Sequence, residues 1–317
     1  MTYSKFPLLK KRKSENITLK SFRSEFDAEK FLKPYIPGTG FKSILNSYNS
    51  ANGKNDLKEL IKKIKFARNG EYPILLALSP EIISNGLSPL IIDFMHRGWI
   101  SAISINEEFL IRDFEIALSG KFIDYKNNFI NSTEITGLAE ETGLFLNIAF
   151  KEGDKKEKGA GEAVGEYLSS SKFKFNEFSI LANGYKLNIP IVLHSLPGAS
   201  KLHYHSNFEG KTFGNLLDRD FILYSSIISN ISKNGVYLAT NLDRNGLDIL
   251  INALEFCFES GSHLKNISIG ITGDIEDNSV RSDIEKIADS ENISLYRIKG
   301  NPDLLLPIIA SLLLEEV

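Results

Sequence analysis

From residue 54 onward the chain alternates short apolar runs with longer stretches of helical periodicity. The first run, Pro73–Leu78, is apolar without polar alternation, as expected of a strand buried on both faces. Five further runs share that character: Ser101–Ile105, Ile189–His194, Val236–Thr240, Ile267–Ile271 and Ser294–Ile298. Before the first run, Leu57, Leu60, Ile61 and Ile64 mark one helical face that stops at Gly70. Helical spacing returns over Ile82–His96, Glu107–Leu118, Gly214–Ile231, Leu247–Glu259, Val280–Ala288 and Asp303–Leu313, the last entered through Pro302. Strands alternating with helices are joined by right-handed parallel crossovers, which predicts an α/β fold with a doubly wound, mostly parallel six-stranded sheet.

Residues 119–188 break the rhythm with helices only: Glu134–Phe150, Gly159–Leu168 and Glu177–Leu187. With no strand of its own, this stretch reads as a helical insertion packed on the sheet. The linker Lys151–Lys158, KEGDKKEK, is expected to be exposed. Residues 1–53 read as a polar N-terminal arm with short helical pieces, and 54–317 as a single α/β domain.

Composition narrows the function classes. The chain has 317 residues, 42% of them hydrophobic, which is enough for a full core. A net charge of −3 lacks the basic excess of a nucleic-acid binder, and the run Lys10–Lys13 reads as a solvated tail. A single cysteine, Cys257, leaves no disulfide and no cysteine zinc cluster, and its apolar helical setting suits a buried thiol. No apolar stretch is long enough for a membrane span, so a cytoplasmic setting is expected.

In open parallel sheets ligands bind beyond the carboxyl ends of the strands. That rule selects the loops holding Ser79, Asn106-Glu107-Glu108, Ser195–Ser206, Asn241–Arg244, Thr272-Gly273-Asp274 and Lys299-Gly300-Asn301. Candidate cofactor contacts are therefore Ser79, Asn106, Glu107, Ser200, Asn241, Thr272, Gly273, Asp274 and Asn301, although such residues also serve turn geometry alone. No loop carries G-x-G-x-x-G after a strand or a Walker motif; Gly159, Gly161 and Gly165 more plausibly let helices approach closely. His194, His203 and His205 lie within twelve residues, and an extended backbone would turn His203 and His205 to one side. They admit a metal reading, but without a matching carboxylate a structural or substrate-contacting role is preferred. With Asp113 they form the candidate catalytic set. No G-x-S-x-G elbow supports a hydrolase.

Several segments together resemble the bacterial branch of the deoxyhypusine synthase-like family. They are Asn85–Asp93, Arg112–Leu118, Ala139–Gly143, Ser179–Ala182, Asn188–Pro190 and the H-x-H of His203 and His205. The likeness runs in order from about residue 37 to the C-terminus. It implies a Rossmann-like sheet, NAD at the strand ends, and a homo-oligomer (dimer or tetramer) with sites near subunit contacts. The activity it implies is NAD-linked transfer of an aminobutyl group from a polyamine to a protein lysine, through an imine on an enzyme lysine. Where relatives carry small glycine-rich residues after the second strand, this chain has Asn106-Glu107-Glu108-Phe109, whose carboxylates repel a pyrophosphate. Ala199-Ser200 replaces a Thr-Asp pair, and the Trp-Gly-Lys segment is missing, with Lys286 on a helical face of that region. Two readings follow. One is an NAD-linked transferase acting on a cationic amine, held by Glu107, Glu108 and Asp113. The other is a non-catalytic binding or assembly protein that has lost NAD and the imine-forming lysine.

Overall fold

A computed structural model of the chain describes residues 54–123, 125, 138–196, 198–262, 264–273, 278–290 and 293–314, and Thr18. The expected N-terminal arm otherwise lies outside the described residues. Six parallel strands form one sheet: β1 (Ile74–Leu78), β2 (Ala102–Asn106), β3 (Ile191–His194), β4 (Val236–Thr240), β5 (Ser268–Thr272) and β6 (Ser294–Ile298). Their order is β3-β2-β1-β4-β5-β6, so the winding reverses between β1 and β4. This is the doubly wound Rossmann-like arrangement expected from the sequence.

The strands lack polar alternation because each face has its own cover. Leu76, Leu78, Ile103, Ile105, Leu193 and Leu238 pack into one apolar core. Helices α1 (Lys54–Asn69), α2 (Glu81–Ser84), α3 (Ser88–His96) and α4 (Glu107–Ser119) contribute to that side. So do α5 (Glu140–Lys155), α6 (Ala160–Ser170) and α7 (Ile180–Lys186). The intervening positions Leu75, Ala102, Val192, Tyr237, Ala239, Ile269 and Ile271 face a second core. That side is covered by α8 (Gly210–Ile231), α9 (Arg244–Glu259) and α10 (Asn278–Ser290). The last helix, α11 (Pro302–Leu314), buries Leu305, Leu306, Ile308, Ile309, Leu312 and Leu313 in the first core but leaves Leu304 62% exposed. Among the described residues no helix is long and apolar enough to cross a membrane.

Two local expectations change. The stretch Ile82–His96 is two helices, because Gly86 turns left-handed at φ 70° and the Leu87 N–H donates back to the Ile82 carbonyl. The linker Lys151–Lys158 is not uniformly exposed: α5 runs through Lys155, Gly153 is buried against Ala163, and the Lys158 side chain is only 15% exposed between Glu162 and Glu166.

Glycines bring α6 against the sheet edge. A Cβ on Gly161 would stand 1.8 Å from the Ile191 carbonyl oxygen, and one on Gly159 would stand 1.9 Å from Asp220 Oδ1. Asp220, on α8, accepts from Leu193 N at 2.8 Å and from Gly161 N at 3.1 Å. Gly161→Ala is therefore expected to lower stability by about 3 kcal/mol or more. Gly214→Ala, in open space on α8, is expected to gain about 0.5–1 kcal/mol from helix propensity. Urea denaturation of the two variants checks both signs.

Candidate functional site

Reversal of the winding parts the loops that follow β1 and β4, and a cleft of about 670 Å³ opens there. Its floor is the ends of the strands, and its walls are the loops after β1, β2, β3 and β4. Of the residues singled out from sequence, Ser79, Asn106, Glu107, His194, Ser200 and Asn241 line this cleft. The register explains part of the grouping, since Asn106 and His194 are paired at the ends of β2 and β3.

The rim is held by its own side chains. Ser79 N donates to Thr240 Oγ1 at 2.8 Å, tying the β1 turn to β4. Asn106 caps α4 by accepting from Phe109 N at 2.9 Å. Glu107 reaches across to the β3 loop, where Ser195 Oγ donates to it at 2.7 Å and Lys201 N at 3.1 Å. Ser200 accepts from Leu202 N at 3.0 Å. Asp243 caps α9 through Gly246 N at 2.8 Å, just after Asn241 in a left-handed conformation at φ 46°. Arg112 donates to Glu108 at 2.5 Å, to the Pro80 carbonyl at 3.2 Å and to Ser84. Lys201 Nζ donates to the Tyr125 carbonyl at 3.0 Å.

Tyr125, Tyr224 and Tyr237 complete the walls and were not singled out from sequence. Tyr237 sits inside an apolar strand run, where it reads as core. Tyr224 lies one helical turn from Asp220, so a shared inward face was the available signal. Their buried hydroxyls hydrogen-bond each other, and burial pushes Tyr237 up to about 12 and Tyr224 well above its ordinary value. His194 meets Tyr224 edge to face with ring centroids 4.4 Å apart. Burial alone lowers its imidazole from 6.5 to about 4, so the ring is neutral near pH 7.

The other candidates lie elsewhere. Asp113 is sealed in the core, accepting from Ser179 Oγ at 2.6 Å, Ile180 N at 2.8 Å and Leu181 N at 3.2 Å. It anchors the start of α7. His203 packs on Phe208, and His205 is buried against Gly143 with Nε2 3.5 Å from Glu140 Oε2. The extended backbone assumed for both holds only at His205, because His203 lies in a 3-10 turn over Lys201–Tyr204. Among the described residues no three His, Cys, Asp or Glu side chains gather as a metal site. Thr272 Oγ1 donates to the Ala239 carbonyl at 3.3 Å, and Gly273, at φ 110°, leaves room for Asn241. Exposed Asn301 caps α11 through its carbonyl, which accepts from Leu304 N and Leu305 N. Asp274 lies outside the described residues. Lys286 is 73% exposed beside Asp283, away from the cleft.

No family model matches the chain, and no curated protein matches it. Solved structures do. A candidate deoxyhypusine synthase from Entamoeba histolytica is 14% identical with a TM-score of 0.52, the match covering 89% of this chain and 96% of that one. AgrE, in its ternary complex with ornithine and NAD+, is 10% identical with a TM-score of 0.52, the match covering 81% of this chain. The match spans about a third of the AgrE chain, 32% of its length. At such identities the likeness is one of fold, which is the fold that the sequence resemblance implies.

Three buried carboxyls outside the cleft lining make stability depend on pH. Burial outweighs their hydrogen bonds and raises Asp113 from 3.8 to about 6, Glu115 from 4.5 to about 7 and Asp220 from 3.8 to about 7. The folded chain thus holds more protons than the unfolded one between roughly pH 4 and pH 7, and stability is lost as pH rises through that window. His194, lowered to about 4, acts in the opposite sense below its ordinary value, and the carboxylates of Glu152, Asp154, Glu166, Glu209 and Asp283, whose values are lowered, do so only at and below the ordinary carboxylate range. The urea midpoint is expected to fall between pH 5 and pH 8, and Glu115→Gln to flatten part of that fall. A midpoint that rises across the range contradicts this account.

Proposed function

We propose that this chain is a divergent protein of the deoxyhypusine synthase-like fold whose cleft binds a cationic, amine-bearing small molecule without a dinucleotide. The observation that carries the reading is the charge of the lining: Glu81, Glu107, Glu108 and Asp243 against Arg112 and Lys201, with Arg112 already engaged by Glu108. A cleft whose lining carries a net excess of one sign concentrates ligands of the other.

The same residues argue against NAD. A pyrophosphate is held by free backbone N–H groups at a helix start, with glycines allowing close approach. Here Pro80 brings no N–H, while α4 and α9 have their first turns capped by Asn106 and Asp243. Glu107 and Glu108 stand where the phosphates would need positive partners. Aminobutyl transfer as the resemblance implies it needs NAD to oxidise the amine and a lysine to hold it as an imine. Lys286, the lysine of the corresponding region, is outside the cleft. The proposal is accordingly one of amine recognition, with no redox step. The homo-oligomer implied by the resemblance belongs to the same reading; exposed Ile222, Leu223, Phe256 and Phe258 on α8 and α9 offer a second copy an apolar surface.

Calorimetric titration tests the proposal. Spermidine is expected to bind at micromolar to millimolar concentration, more weakly as salt is raised. NAD is expected to give no saturating heat. Glu81→Gln combined with Asp243→Asn is expected to weaken spermidine severalfold without unfolding, because asparagine caps a helix as well as aspartate does. Saturation by NAD with silence for spermidine overturns the reading, and silence for both favours the binding or assembly role.

A further inference from the structure

At the cleft floor, His194 has one ring nitrogen in an unusual position. Nε2 is sealed from solvent and has no hydrogen-bond partner among the described residues. The ring as a whole still forms part of the cleft lining. A neutral imidazole carries one N–H and one lone pair. Placing the lone pair at Nε2 would leave a buried acceptor unsatisfied. The imidazole meets the Tyr224 ring edge to face with centroids 4.4 Å apart, and an aromatic neighbour tolerates an N–H donor better than a bare lone pair, while Nδ1 is not sealed in this way. The lone pair then falls to Nδ1, the nitrogen left for a ligand. Its backbone is held in place from both sides. The neighbouring Leu193 N–H donates to Asp220 at 2.8 Å, and the Ser195 hydroxyl that follows donates to Glu107 at 2.7 Å.

We propose that His194 is a ligand-binding residue whose Nδ1 accepts a hydrogen bond from an ammonium N–H of the bound amine at the closed end of the cleft. The inference rests on the amine-binding reading and adds to it the atom that distinguishes an N–H cation from a cation without one. No proton is transferred: the ammonium keeps its charge and the imidazole stays neutral. Tyr224 on α8 meets the ring directly, and the charged or titratable groups on the neighbouring elements are Glu107 on α4, Lys201 in the β3 loop, Asp220 on α8 and Tyr237 on β4. Glu107 and Asp220 are committed to hydrogen bonds with backbone or hydroxyl donors. Burial keeps the ring uncharged down to about pH 4, so acceptance of a cation persists at pH 5.5, where an exposed histidine would be mostly protonated and repulsive.

The test compares spermidine with its fully quaternised, N-permethylated analogue, which keeps the charges but has no N–H. Calorimetry on the wild-type chain is expected to show about tenfold or greater preference for spermidine, the size of a hydrogen bond to a charged group. His194→Phe is expected to bind both ligands alike, and the His194 ring 15N signals of the wild type to shift on spermidine addition, at pH 5.5 as at pH 7.5. If His194→Phe fails to fold, the ring signals and the wild-type preference decide alone. Spermidine binding with no preference and an unmoved His194 signal overturns the role of His194 and leaves amine binding standing. Absence of spermidine binding overturns both.

Discussion

A parallel sheet has two edge strands whose outward N–H groups lack a strand partner, and a fold of this kind must give them acceptors. In this chain one carboxylate does so at each edge. Asp56 of α1 accepts from Arg297 N on β6 at 3.0 Å, and Asp220 of α8 accepts from Leu193 N on β3 at 2.8 Å. The second contact governs the site. Asp220 also takes the Gly161 N–H, so one carboxyl fixes the start of α6, the end of β3 and the middle of α8 relative to each other. His194 follows Leu193 directly and meets Tyr224 one turn along α8 from Asp220. The geometry of the cleft floor is therefore inherited from an edge-protection device. Burial keeps that device costly to ionise, with Asp220 pushed up to about 7.

The strands were legible because a sheet covered on both sides admits few polar side chains, and the helices because their apolar positions recur with the turn. What the periodicity could not show was interruption by backbone conformation. Ile82–His96 keeps its helical spacing across Gly86, yet the chain reverses there into a left-handed turn. Spacing also says nothing about close approach. Gly159 and Gly161 resemble a phosphate loop in sequence, but each is required by a neighbour less than 2 Å from where a Cβ would sit. Their role depends on Ile191 and Asp220, residues some thirty and sixty positions away in the chain.

The rule that ligands collect beyond the carboxyl ends of parallel strands placed Ser79, Asn106, Glu107, His194, Ser200 and Asn241 around one cleft. It could not separate them from Thr272, Gly273 and Asn301, which belong to the ends of β5 and β6, beyond the strands that flank the winding reversal. That separation depends on strand order, which a linear pattern does not contain. Asp113, His203 and His205 attracted notice because polar and titratable residues suggest chemistry. The fold uses Asp113 as a buried helix anchor and sets the two histidines against Phe208 and Glu140 instead. Tyrosines escaped notice for the converse reason: inside an apolar run a phenol ring looks like core until its hydroxyl is seen to face another.

Glu107 bears on both the electrostatics and the architecture of the cleft. Its carboxylate opposes an anion at the helix start, where unpaired N–H groups would otherwise favour one. It also gathers the β3 loop by accepting from Ser195 Oγ and Lys201 N. A glycine at the same place would leave that loop without its anchor, so making room for a pyrophosphate would loosen the wall beside His194. Cofactor space and wall rigidity are thus alternatives at this position. The chain has the rigid, acidic form, with the uncharged ring of His194 in the wall beside it.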